Sequence, residues 1–117
     1  MDKNFELIIT VVKKGQSDKV VKASREAGAT GGTILYGRGS SLHNNDSIMG
    51  MKIQPEKEVI LTLVEQSAKE NIMKKICKDA GLDDGKDGII FSLPVNNIVG
   101  TKKFMEREKE KEKKDNL

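Results

Sequence analysis

Three short segments of the 117-residue chain set glycine beside a hydroxyl or a charged side chain: Gly28-Ala29-Thr30-Gly31-Gly32-Thr33, Gly37-Arg38-Gly39 and Gly85-Lys86-Asp87-Gly88. Backbone amides with no Cβ in the way approach phosphate oxygens closely, and a neighbouring Arg or Lys adds charge. The chemistry this suggests is anion capture rather than covalent catalysis. None of the three is a G-x-x-x-x-G-K-[ST] loop or a G-x-G-x-x-G turn. Turns and helix stops also use glycine, so the segments gain meaning only from what positions them. Other reactive residues are few. The sole histidine, His43, stands beside Asn44, Asn45 and Asp46 and reads as an incidental polar position rather than a metal ligand. The sole cysteine, Cys77, falls among apolar residues at helical spacing and reads as packing. One His and one Cys leave no multi-histidine metal site, no zinc cluster and no disulfide framework within a chain.

The elements around these segments repeat one plan. Phe5–Val12 is a β-branched apolar run of strand length. Ser17 is expected to cap a helix whose apolar positions are Val20, Val21, Ser24 and Ala27, with Gly28 as its stop. Thr33–Tyr36 is a short strand. The second copy starts at Val59–Val64 and continues through the Ser67-x-x-Glu70 capping-box pattern. Ile72, Met73, Ile76, Cys77 and Ala80 then share a helical face, Gly81 is the stop, and Ile89–Leu93 is the last strand. Two β-α-β units of this size predict an α+β, ferredoxin-like sandwich: a four-stranded antiparallel sheet with two helices on one face. The strands read as near-continuous apolar runs, as expected where both faces are covered. One chain supplies helices for one face only, so the other is expected to pack against copies of the chain.

Composition narrows the function classes. Hydrophobic residues are 36% and aromatics 3%, so the core is aliphatic and no ladder of aromatic platforms exists for single-stranded nucleic acid. Lys and Arg total 21 against 18 Asp and Glu, and residues 101–117 hold seven of the former and five of the latter. The first hundred residues are thus nearly balanced and lack the one-sided charge of a nucleic-acid binder. No apolar run approaches a membrane span and the polar start does not read as a signal peptide. A soluble, cytoplasmic domain over residues 1–100 is expected, with no membrane insertion. The alternating charges of the 101–117 tail lack an apolar stripe and predict a solvated end.

Residues 37–54 show neither strand nor helix period, and connections longer than about 12–15 residues in compact domains are usually functional or disordered. In this stretch Met49 and Met51 flank Gly50, and such adaptable side chains suit either a partner contact or a hinge that packs onto the body.

Taken in order, these segments resemble the PII nitrogen-regulatory signalling family over roughly residues 5–102. The resemblance rests on Ala27-Gly28-Ala29-Thr30-Gly31-Gly32-Thr33, on Gly37-Arg38 at the base of a long effector loop (the family's T-loop, here about 37–54), and on Gly85–Phe91 followed by Pro94-Val95. It implies a homotrimer with an adenine nucleotide, ATP or ADP, in clefts between subunits. It also implies, in many members, 2-oxoglutarate bound beside the nucleotide through magnesium, and a T-loop that docks on a membrane transporter, an enzyme or a transcription factor. Carried onto this chain, Gly31 and Thr33 flank the nucleotide, Gly37 and Arg38 form the loop base, and Asp87 and Gly88 meet phosphates. Lys57 stands near the family's effector-binding lysine, and Ser41, His43, Met49 and Met51 belong to the partner loop.

The departures from the family pattern shape the expectation. Gly39 stands where a glutamine serves the 2-oxoglutarate site. Ile89 replaces a lysine, for which Lys86 is the substitute. Two arginines become Gly100 and Lys102, and Lys offers only a point charge where Arg offers a bidentate fork. ATP binding weaker than the family norm, with ADP or AMP competing well, is the expected result. Two other readings stay open: an acylphosphatase-type enzyme using Arg38 and Asn96, and a trimeric metal-tolerance or scaffold protein without nucleotide.

Overall fold

The computed structural model describes residues 4–39, 47–48, 51–52, 56–84, 88–100 and 106–107. In chain order the elements are β1 (Phe5–Lys13), α1 (Ser17–Glu26), β2 (Thr33–Arg38), β3 (Ser47–Ile48), β4 (Met51–Lys52), β5 (Glu56–Glu65), α2 (Gln66–Asp79), a 3-10 turn (Leu82–Asp84) and β6 (Gly88–Val95). Four strands form one antiparallel sheet in the order β2-β5-β1-β6. This is the expected double β-α-β arrangement. The β3–β4 hairpin, pairing Ser47 with Lys52 and Ile48 with Met51, stands apart from it.

Strand periodicity sorts the two faces. Ile8, Val12, Ile60 and Val64 pack under Val20 and Ala23 of α1 and Ile72 and Ile76 of α2 to form the core. The alternate residues form three cross-strand rows: Leu63-Leu7-Leu93, Leu61-Ile9-Phe91 and Val59-Val11-Ile89. α1 and α2 do not cover these rows, and Ile89, Phe91 and Leu93 are 57%, 39% and 49% exposed. The buried face, by contrast, carries Glu6, Thr10, Glu58 and Thr62 among its aliphatic residues.

Helix ends follow the glycines at the C-termini only. Gly28 and Gly81 adopt positive φ of 110° and 69°, which L side chains resist, and both helices stop just before them. The expected caps at Ser17 and Ser67 are not formed. α2 begins at Gln66 after Glu65, with no side-chain cap bond, so Ser67 is already inside it. Its start is tied instead by Gln66 N–H donating to the Asn4 carbonyl at 2.8 Å. Ser17 is likewise the first residue inside α1. There the orphan amides find a distant acceptor, the Glu58 carboxylate of β5. Gly15 N–H and Ser17 N–H (3.2 Å) donate to its Oε1, and Ser17 Oγ–H donates to its Oε2 at 3.0 Å.

Strand boundaries also move. β5 begins at Glu56 rather than Val59, because Glu58, Lys57 and Glu56 pair with β2 and the first two also pair with β1. β2 runs on to Arg38 for the same reason, so Gly37 and Arg38 are strand residues. The 37–54 stretch is therefore not aperiodic throughout: it opens in β2 and contains the hairpin. Pairing with neighbours overrides weak local propensity in each case.

Burial opposes the charge on Glu58, but the bonds from Ser17 and Gly15 outweigh it and hold its carboxyl below the usual glutamate value. A depressed folded-state pKa stabilises the fold above the unfolded value and is lost as pH falls through the folded one. Thermal melts across pH 3 to 7 should therefore show an acid-side loss of stability. In Glu58→Ala the midpoint at neutral pH should fall and the acid-side slope should flatten; an unchanged slope would contradict this role.

Candidate functional site

One end of the sheet gathers the close of β2, the start of β5, the close of β1 and the start of β6. The ladder sets Arg38 opposite Glu56, Gly37 opposite Lys57, and Gly88 opposite Val12. Between β2 and β5 on one side and the β1–α1 turn on the other lies a cavity of about 610 Å³, lined by Lys14, Tyr36, Gly37, Arg38, Glu56 and Lys57. Three cations and one carboxylate thus share this lining with an exposed aromatic ring. Lys14 Nζ lies 2.8 Å from Glu56 Oε2. The hydrogen bond and charge of Glu56 hold the Lys14 ammonium above its ordinary value, and the same contact holds the Glu56 carboxyl below its own. The backbones are tied as well, Lys14 N–H donating to the Glu56 carbonyl at 3.3 Å.

Gly39 and Lys57 also meet. A Cβ on residue 39 would lie 2.9 Å from Lys57 Cε and 3.2 Å from its Cγ, so the lysine stem lies across the glycine. A glutamine here would have to displace that stem. The pair therefore offers no side-chain oxygen to a metal, and does not fit a magnesium-bridged oxoacid.

Gly31 and Thr33 lie elsewhere: Thr33 opens β2 three residues, or roughly 10 Å at strand rise, before Tyr36, and Gly31 precedes the strand. They line a smaller cavity of about 220 Å³ with Thr30, Gly32, Leu61, Leu63 and Arg107. Gly88 sits on the opposite edge of the sheet, three strand spacings from Tyr36, or about 14 Å. No single chain brings Gly88 and Arg38 into contact. Gly88 also has a packing reason to be glycine: a Cβ there would fall 2.4 Å from the Val11 carbonyl oxygen and 3.1 Å from Leu82 Cδ2. Met51 is paired in the hairpin. Lys86, Asp87, Lys102, Ser41, His43 and Met49 lie outside the described residues.

Sequence reasoning missed Lys14, Tyr36, Glu56 and Arg107. The first three carry a faint signal, since each borders a strand end, but only the register shows that those ends converge. Arg107 belongs to the segment expected to be solvated. Cys77 fulfils its packing role: it is half-buried against the core and donates to Asp83 Oδ1 at 3.0 Å. That hydrogen bond, with burial and the Asp83 charge, raises its thiol pKa.

Residues 5–103 match the family described as Nitrogen regulatory protein P-II. The chain belongs to that family. It is a PII-like regulatory signalling protein, and members of this family are signalling regulators rather than enzymes, which sets aside the acylphosphatase reading. No curated protein matches the sequence. Among solved structures it is similar to Arabidopsis thaliana PII bound to citrate, with a TM-score of 0.64 and 22% identity over 84% of this chain and 81% of that one. The likeness supports the fold. No helix among the described residues is long and apolar enough to cross a membrane.

The Gly88 contacts predict that Gly88→Ala loses about 1–3 kcal/mol of stability through overpacking, whatever its role with ligands. Urea denaturation checks this, and an unchanged midpoint would show that the β1–β6 edge relaxes freely.

Proposed function

We propose that this protein senses an adenine nucleotide (ATP, ADP or AMP) in clefts between the subunits of a trimer and regulates a partner through the loop that leaves the sheet after Arg38. The observation that carries the nucleotide reading is the cavity at the loop base. It joins a ring, Tyr36, to three cations, Lys14, Arg38 and Lys57, within a volume of about 610 Å³. Ligand pockets commonly span about 300–1,000 Å³, with a few placed polar groups that fix orientation. A ring for a base and cations for phosphates match both parts of a nucleotide.

The trimer reading rests on the three apolar rows that α1 and α2 leave uncovered. Exposed apolar patches of that extent mark interfaces, and burying them is favourable by about 25 cal/mol per Å². The opposed positions of Arg38 and Gly88 agree with a shared cleft. Each edge strand carries one, so two subunits placed edge to edge would bring them to one ligand. Gly31 and Thr33 with Arg107, and Lys86, Asp87 and Lys102, complete the residues proposed to face the nucleotide. Ser41, His43, Met49 and Met51 are proposed to face the partner, a membrane transporter or an enzyme. Residues 101–117 are read as a charged appendix to a cytoplasmic domain of residues 1–100.

Light scattering should give a mass close to three times the 12.9 kDa of one chain, and Phe91→Glu, in the middle apolar row, should reduce it towards the monomer. A monomeric wild type would defeat the trimer reading. Calorimetry should show ATP and ADP binding with AMP competing, weakened roughly tenfold or more in Arg38→Ala by the loss of a charge-assisted contact. Replacing residues 41–50 with a short Gly-Ser linker should leave mass and nucleotide binding nearly unchanged and abolish partner binding. Partner capture with unchanged nucleotide dependence would overturn the loop assignment.

A further inference from the structure

The nucleotide reading leaves one feature of the loop-base cavity unused, the ion pair between Lys14 and Glu56. Lys14 follows β1, and Glu56 opens β5. Glu56 also stands opposite Arg38 in the β2–β5 ladder. One carboxylate therefore lines the same cavity as the two cations, and it engages Lys14 at 2.8 Å. Both side chains of that pair are open to solvent, at 68% and 60% exposure. A pair so exposed is held weakly and is easily exchanged.

We propose that Lys14 and Arg38 form a two-cation site for a polyphosphate anion, guarded by Glu56, whose carboxylate is exchanged for the phosphate when the ligand arrives. The inference rests on the nucleotide reading for the identity of the natural ligand but not for the anion chemistry.

Three physical points support it. First, the cations are held by different elements, the β1–α1 turn and β2, yet the Glu58 contacts fix that turn against β5, so their separation is set by the fold. Second, an anion between them gains two charge-assisted contacts, whereas among the described residues Glu56 reaches Lys14 alone at salt-bridge distance. Third, Lys57 lines the same cavity and adds a further positive charge there. The exchange has a consequence for the loop. Glu56 opens β5 on one side of the loop and Arg38 closes β2 on the other, so releasing Glu56 changes the charge at one root while the ligand fixes the other. Ligand occupancy and loop conformation then share one coupling energy.

Calorimetry on the full chain tests this with two probes, ATP and inorganic pyrophosphate. The variants are Lys14→Gln, Glu56→Gln and the double substitution, with melts to show that each folds. Lys14→Gln should weaken both probes roughly tenfold. Glu56→Gln should tighten both about two- to fivefold, and that gain should vanish in the double variant. Lys14→Gln binding like wild type, or Glu56→Gln binding more weakly, would overturn the guarded site. Lys14-dependent binding of pyrophosphate without any binding of ATP, ADP or AMP would uphold the anion site and overturn the nucleotide reading. Failure of every probe to bind would overturn both.

Discussion

The architecture of the loop base depends on a buried carboxylate. Glu58 points from β5 into the covered face of the sheet and accepts hydrogen bonds from Gly15 and Ser17 at the start of α1. A helix start presents unpaired amides and a partial positive charge, so an anion there satisfies both at once. The cavity residues crowd around this contact. Lys14 precedes Gly15, Glu56 and Lys57 precede Glu58, Tyr36 is opposite Glu58, and Arg38 is opposite Glu56. A carboxylate spent on architecture thus sets where four charged side chains and an aromatic ring meet.

The sheet distributes polarity against first intuition. Its helix-covered face holds Glu6, Thr10, Glu58 and Thr62, while the face that one chain leaves open carries three rows of aliphatic and aromatic residues. The Thr10 and Thr62 hydroxyls have no hydrogen-bond partner among the described residues. The other two of the four have work: Glu58 binds the α1 turn, and Glu6 pairs with Lys69 of α2 at 2.8 Å. That pair is largely sheltered, with Lys69 21% and Glu6 10% exposed, and its hydrogen bond raises the Lys69 pKa. Lys75 adds a link between helices, reaching Glu26 at 3.3 Å and Asp79 at 3.0 Å. On the open face the apolar rows are left uncovered by α1 and α2.

The glycine segments illustrate how one residue type serves different demands. At Gly88 the cause is steric, since the carbonyl of Val11 leaves no room for a Cβ. At Gly39 the space is filled by the stem of Lys57. At Gly28 and Gly81 it is helix termination. Gly37, which borders the loop-base cavity, has nothing within 4 Å of a would-be Cβ.

The strand and helix content, the duplicated β-α-β plan and the helix stops were legible in the chain, because apolar periodicity and positive-φ glycines are local properties read over a few residues. The family resemblance, with Gly37 and Arg38 at the base of a long loop, was legible for the same reason. The N-terminal caps were misread at Ser17 and Ser67 because a serine near a helix start is a local signal, whereas the acceptor actually used at α1 lies 41 residues from Ser17. The first residues of β5 were missed because Glu56, Lys57 and Glu58 are unremarkable strand formers until β1 and β2 pair with them. Lys14, Tyr36 and Glu56 escaped notice in the same way. Local sequence determined which segments fold into which elements; the tertiary register decided which side chains face one another, because pairing across the sheet joins residues that no short window of sequence contains.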